Sequence, residues 1–210
     1  MFFVFFDNLD PESGNFLRFG LFNILKDKDE NLTFLSDEAL MLRCRKGEIE
    51  CLNILIGRHK NSLYRYIFSM IREEAISEEI FQDVFLQVLK FRRKYKPKAK
   101  FTTFLFKIAH NRCINEVKHR KVIESKKPDS YQIDMETPLN KMLMKERKKI
   151  FYDSIDKLSP KLQSVYVLRE IQELSYSEIG AIQKCSVGTV KSRLNRARDK
   201  LCEELKKYEL

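Results

Sequence analysis

LSYSEIGAIQKCSVGTVKSRLNRARDKL, residues 174–201, contains two helix starts separated by one short turn. Ser175 followed three positions later by Glu178 is a capping box and predicts a helix over 176–184. Ile179 and Ile182 of that helix face inward, and Gly180 supplies the small residue that a closely crossing helix needs. Cys185 and Ser186 form the turn. Val187, Val190, Leu194, Ala197 and Leu201 then recur on one helical stripe. The opposite side holds Ser192 and Arg196, with Thr189 and Asn195 beside them and Lys191 and Arg193 flanking. Hydroxyl, amide and guanidinium groups read base edges in a major groove, and flanking cations hold phosphates. Helix, short turn and helix is the helix-turn-helix layout.

Upstream, Ser159–Pro160 marks another helix start, and Leu162, Val165, Tyr166, Leu168 and Ile171 follow at helical spacing. Farther back, Ser36 caps a helix bearing Leu40, Met41 and Cys44 that ends near Gly47. A second helix carries Leu52, Leu55, Ile56, Leu63, Tyr66, Ile67 and Met70. A third carries Ile80, Phe81, Val84, Phe85, Val88 and Leu89. Pro97 interrupts the pattern inside a lysine-rich loop, Lys94 to Lys100. A fourth helix, from Thr102 or Thr103, is expected to turn Phe104, Leu105, Ile108, Ala109, Ile114 and Val117 inward. The expected fold is all-α: a helical domain at 36–121, a flexible linker at 122–140 bracketed by Pro128 and Pro138, and a second helical domain at 141–210 ending in the helix-turn-helix.

The 210 residues include 40 Lys+Arg against 30 Asp+Glu, a net charge of +10, which favours a polyanionic partner. The asymmetry is local. Residues 90–127 hold fourteen basic and two acidic side chains, whereas residues 1–40 hold three and eight. Six Gly and five Pro are few for a turn-rich β protein. No apolar run approaches the roughly 20 residues that cross a bilayer, so a soluble chain is expected. MFFVFF at residues 1–6 lacks the basic flank and length of a signal peptide and runs into Asp7, Asp10 and Glu12. Residues 1–35 are expected to be a poorly ordered extension. Five cysteines without a CxxC fit reduced thiols in a cytoplasm rather than a disulfide framework. Cys44 and Cys51, seven apart, have core spacing. His110 and Cys113 have the spacing of half a metal site but no second half, and a packing role is expected; no metal and no cofactor are expected.

SVGTVKSRLNRARDKL preceded by LSYSEIGAIQ closely resembles region 4 of bacterial extracytoplasmic-function sigma factors, the subunits that direct RNA polymerase to promoters. LSPKLQSVYVLREIQELSYSEI is similar to the start of that region. EEIFQDVFLQV resembles the polymerase-binding helix of region 2, and FTTFLFKIAHNRCINEVKHRK its promoter-melting and −10-reading segment. Lys46-Gly47-Glu48 fits the region 2 opening. The resemblance covers about 36–121 and 140–206. It implies that Gln82, Asp83 and Phe85, assisted by Glu79, dock on the clamp helices of the polymerase β′ subunit, with the β flap as a further contact. It implies that Asn111, Arg112, Asn115, Lys118, His119 and Arg120 meet the −10 element. The loop Tyr95–Phe101 would help to form a pocket for an extruded base, and Lys98 and Lys100 would draw in the non-template strand. Phe101 and Phe104 are expected in the core. In region 4, Lys191, Ser192, Asn195 and Arg196 would read the −35 element. Thr189 and Arg193 would hold phosphate, as would the helix start at Ser186. An anti-sigma protein is a further possible partner, and the location implied is the bacterial cytoplasm.

The sequence departs from that pattern in having no Trp, where many relatives have Trp at the places of Leu89 and Phe104, and in Lys184, where many have Gly in the turn. Two other readings stand beside this one. A conventional helix-turn-helix regulator would bind duplex DNA without polymerase, but no dimerisation heptad is evident. An enzyme would need paired carboxylates, a nucleophile elbow or a glycine-rich phosphate loop, and none is found; no catalytic residues are expected.

Overall fold

A computed structural model describes residues 30–124 and 150–208. The expected extension up to residue 29 and the expected linker from 125 to 140 lie outside them. The chain divides into two units, Met1–Leu35 and Ser36–Leu210. Of the first, the described part contains one helical turn, Glu30–Thr33. The second is all-α over its described residues.

Its first helix, α1 (Asp37–Lys46), starts where Ser36 Oγ accepts the Ala39 amide and stops at Gly47, whose φ of 115° only glycine adopts without strain. α2 (Glu50–Ile71) and α3 (Glu74–Phe91) follow. A 3-10 turn (Arg92–Lys94) and the loop to Lys100 lead into α4 (Phe101–Glu124). After the undescribed stretch, residues 150–156 form α5. α6 (Pro160–Tyr166) begins with proline in its first turn, where no amide partner is lost, and runs on as a π turn, Val167–Ile171. α7 (Tyr176–Gln183) and α8 (Val187–Lys206) complete the unit.

The buried stripes of α1, α2 and α3 are those expected except at Ile56 and Leu89, which are only half-buried; Leu40, Met41, Cys44, Leu55, Leu63, Ile67, Val84 and Val88 are excluded from solvent. α4 differs from its expected pattern. Phe104, Ile114 and Val117 are only half-buried, whereas Phe101, Thr103, Phe106, His110 and Cys113 are buried. The reason is that α4 packs against α1, α2 and α3 and also against α6 and α7. A helix buried on more than one side has no single apolar stripe.

The helices before residue 124 and after residue 150 therefore share a core, and a polar network crosses it. The Tyr66 hydroxyl lies 3.1 Å from His110 Nδ1 and 2.9 Å from Ser164 Oγ, and Ser164 Oγ lies 2.9 Å from the same ring nitrogen. Gln183 Nε2 donates to Ser164 Oγ at 3.1 Å. Gln163 Nε2 donates to the Ser69 carbonyl at 2.8 Å. Arg72 Nε donates to Asp156 at 3.2 Å while its guanidinium lies 4.2 Å from the Tyr152 ring centre. Burial, and then the charge of Arg193, lowers His110 to a pKa of about 4, so the ring is neutral at pH 7. His110 and Cys113 are both buried, His110 within this network, and no cluster of three or more metal-ligating side chains occurs among the described residues.

Candidate nucleic-acid interface

α7 and α8 form the helix-turn-helix. Ser175 Oγ accepts the Glu178 amide, and Glu178 accepts the Ser175 amide, which completes the capping box. Burial raises the Glu178 carboxyl, but bonds from Ser175 and from Lys100 outweigh it and hold the group below the usual range. The turn passes through Lys184 at φ 52°, the left-handed conformation that glycine usually supplies. A methyl group on Gly180 would stand 2.8 Å from the Cys185 carbonyl oxygen but 3.8 Å from Val190 Cγ2 of α8, so the turn backbone, and not the crossing helix that the sequence suggests, is what requires glycine there. Ser186 Oγ accepts the Thr189 amide and starts α8.

The inner stripe of α8 is Val190, Leu194, Ala197 and Leu201; Val187, the first residue of the helix, is instead 42% exposed. On the opposite side Lys191, Ser192, Asn195 and Arg196 are all exposed. Ser192 Oγ donates to the Thr189 carbonyl at 3.1 Å, and Lys191 Nζ lies 5.7 Å from the Tyr176 ring centre. Thr189 and Ser186 share a 2.9 Å hydroxyl contact. Arg193 is different: it donates to Gln183 Oε1 at 2.8 Å and approaches Cys185 Sγ at 3.5 Å, tying α8 to the preceding turn.

The other basic surface lies on α4 and its loop. Asn111, Asn115, Lys118 and His119 are exposed. Gln87, Phe91, Phe104, Lys107, Ile108, Asn111, Arg112 and Asn115 line an open groove of about 470 Å³ between α3 and α4. Of these, Gln87 and Lys107 lie within the two quoted region 2 segments but carry no role implied by the resemblance, and Phe91 lies outside both. Phe91 is 49% exposed, as a platform rather than a core residue would be. Lys98 is exposed, and Lys100 Nζ pairs with Glu178 Oε1 at 3.0 Å. Arg120 is engaged internally, by Glu116 at 3.0 Å, Glu73 at 3.0 Å and the Ile71 carbonyl at 3.2 Å, where it closes the end of α2.

On α3, Glu79 and Gln82 are exposed and Asp83 is half-buried, paired with Arg112 of α4. Leu86 extends the same surface at 42% exposure. Phe85 is buried, its ring 5.1 Å from that of Phe81. It supports the helix from inside rather than presenting a surface to a partner.

Two family models match in chain order: Sigma-70 region 2 over residues 55–122 and Sigma-70, region 4 over residues 148–201. The chain belongs to the extracytoplasmic-function sigma factors. As an alternative sigma factor it directs RNA polymerase to promoters. The ECF RNA polymerase sigma-E factor of Haemophilus influenzae is 29% identical over 180 residues, 79% of this chain and 93% of that one. Its counterpart in Escherichia coli is 28% identical over the same length, with 92% of that chain covered. Among solved structures, CnrH in complex with the cytosolic domain of CnrY aligns over 81% of this sigma factor and 97% of that chain, at 22% identity and a TM-score of 0.64. The sigma factor RpoE in complex with the anti-sigma factor NepR, from Bartonella quintana, aligns over 72% and 94%, at 22% identity and a TM-score of 0.59. Both likenesses concern the fold. No described helix is long and apolar enough to cross a membrane.

Proposed function

We propose that this sigma factor reads two promoter elements with two halves, 36–121 and 141–210, joined through 122–140. The observation that carries the reading is the outer face of α8. There Lys191, Ser192, Asn195 and Arg196 stand exposed on a helix whose opposite face is wholly buried at Val190, Leu194 and Ala197. Such a helix enters a major groove with its polar face toward the bases. It would read the −35 element, with Ser186 and Thr189 at its start toward phosphate. The groove beside Asn111 and Asn115 would hold a base of the −10 element once the strands part, with Phe91 or Phe104 against its face and amides at its edge. Lys98, Lys100, Lys118 and His119 would hold the backbone. Glu79, Gln82 and Asp83 would face the polymerase core, Asp83 and Arg112 linking that surface to the groove. An anti-sigma partner would compete for the same face of α3. The chain would supply recognition and strand opening in the cytoplasm and leave bond formation to the polymerase.

Elements about 25 base pairs apart are separated by about 85 Å of B-DNA. A compact unit the size of Ser36–Leu210 has a radius of gyration of only about 16 Å. The two halves must therefore separate before both elements are held, which breaks the Tyr66–His110–Ser164 contacts and frees Lys100 from Glu178. Run-off transcription with bacterial core polymerase and the DNA upstream of the chain's own gene tests the proposal. A discrete transcript lost in the Glu79→Ala/Gln82→Ala/Asp83→Ala variant is the expected result. A chain that neither transcribes nor co-elutes with core would refute it.

A further inference from the structure

α4 begins without a cap of its own. The residue before Phe101 is Lys100, whose side chain has no acceptor atom for the amides that open a helix. The acceptor comes from sixty-three positions earlier: Glu38 Oε1, in the first turn of α1, receives the Phe101 amide at 2.7 Å. This explains why α4 starts at Phe101, ahead of either threonine. Its carboxylate also places a negative charge at the positive end of α4. The other end of the lysine loop is tied to the same helix, since Arg45 Nη1 donates to the Tyr95 carbonyl at 3.4 Å.

Side chains reinforce both anchor points. Tyr95 is buried, with its ring 5.5 Å from Phe104 and 6.5 Å from Phe101. Its hydroxyl has no hydrogen-bond partner among the described residues, so packing alone holds it. Phe101 is fully buried, 5.5 Å from the His59 ring. Asp37, next to Glu38, bonds His59 Nε2 at 2.6 Å and Arg58 at 2.6 Å. The first turn of α1 is thereby fixed to α2 while it holds the start of α4.

We infer that Glu38 is a positioning residue for strand capture: it caps α4 from a distant helix and, with Arg45, sets the lysine loop against the groove at Phe104 and Asn111. It touches no DNA and acts through the backbone of Phe101. The inference rests on the assignment of the loop and α4 to the −10 strand.

The test compares the wild-type chain with Glu38→Ala and Glu38→Gln, each bound to core polymerase on the upstream template. Footprinting over the −35 element counts bound complexes, and permanganate reactivity of −10 thymines counts open ones. Glu38→Ala is expected to lower the open fraction per bound complex about fivefold, the factor that loss of a helix cap typically produces. Glu38→Gln keeps an acceptor oxygen and is expected to stay within twofold of wild type. A purely structural role would reduce the number of bound complexes and leave the open fraction among them unchanged, and that result would overturn the inference. An equal loss in both variants would also overturn it, because the acceptor would then not be what holds the loop. A wild-type chain that binds at −35 but opens nothing near −10 would instead refute the underlying assignment.

Discussion

Replacing Gly180 with alanine is expected to destabilise the fold, although alanine is the better helix former. Two opposing quantities decide the sign. In an ordinary helix interior Gly→Ala stabilises by about 0.8–1 kcal/mol. Here the new Cβ would lie 2.8 Å from the Cys185 carbonyl oxygen, where ordinary contact begins near 3.4 Å. That oxygen belongs to the turn backbone and cannot swing aside as a side chain can. Its residue also donates to the Gly180 carbonyl at 3.0 Å, and Lys184 before it is already held at φ 52°. Overpacking of this kind costs about 1–3 kcal/mol. The net expectation is a loss of about 1 kcal/mol, or a Tm lower by about 2–4 °C for a unit of this size. Gly57→Ala is the control: it lies within α2 with nothing inside 4 Å of the added carbon, and it is expected to raise Tm. Thermal unfolding followed by circular dichroism measures both. Cys185 lies two residues before α8, so the Gly180 variant should also weaken the −35 footprint. If Gly180→Ala stabilised the chain as much as Gly57→Ala, the argument from the turn backbone would be refuted.

Other consequences are equally open to measurement. Because His110 is lowered to a pKa of about 4, the unfolded chain takes up its proton first as pH falls below the ordinary value of 6.5, and stability declines from there toward pH 4. Between pH 7 and pH 5 the loss is of the order of 2 kcal/mol; urea unfolding at the two values should show it, and His110→Gln should flatten the slope. Arg196→Ala should weaken −35 binding about tenfold or more, as loss of a good base contact does, and spare opening on a template already melted near −10. Asn111→Ala should leave the −35 footprint and reduce permanganate reactivity, and matching defects in both assays for both variants would contradict the division of labour. Arg120→Ala should lower Tm through the lost contact with the Ile71 carbonyl, with −10 selectivity unchanged.

The sequence showed what local chemistry controls. Ser36, Ser175 with Glu178, Ser186 and Pro160 each start a helix where capping rules place them, and Gly47 ends one. What it hid depends on partners distant in the chain. Arg193 and Arg120 look like DNA contacts by type and position, yet each is consumed by internal bonds. Phe85 falls in the motif that the resemblance links to docking, yet its side chain lies in the core with its ring against Phe81. The half-exposure of Phe104 and burial of His110 follow from a helix packed against five others, which no single periodicity encodes. Lys107 and Phe91 became visible only when the groove had two walls, although their spacing from Asn111 and Gln87, by one helical turn each, was a usable signal.

The polar seam between the two halves bears on how freely sigma factors can be recombined. Sigma regions invite grafting, in which the recognition half of one chain is fused to the opening half of another. Here such a graft would carry a hidden liability. A donor without a hydroxyl at the position of Ser164 would leave His110 and the Tyr66 hydroxyl facing each other with one partner fewer, and the Ser69 carbonyl would lose its donor if Gln163 were not matched. Chimaeras of this chain should therefore preserve Gln163, Ser164 and Gln183 along with the base-reading helix.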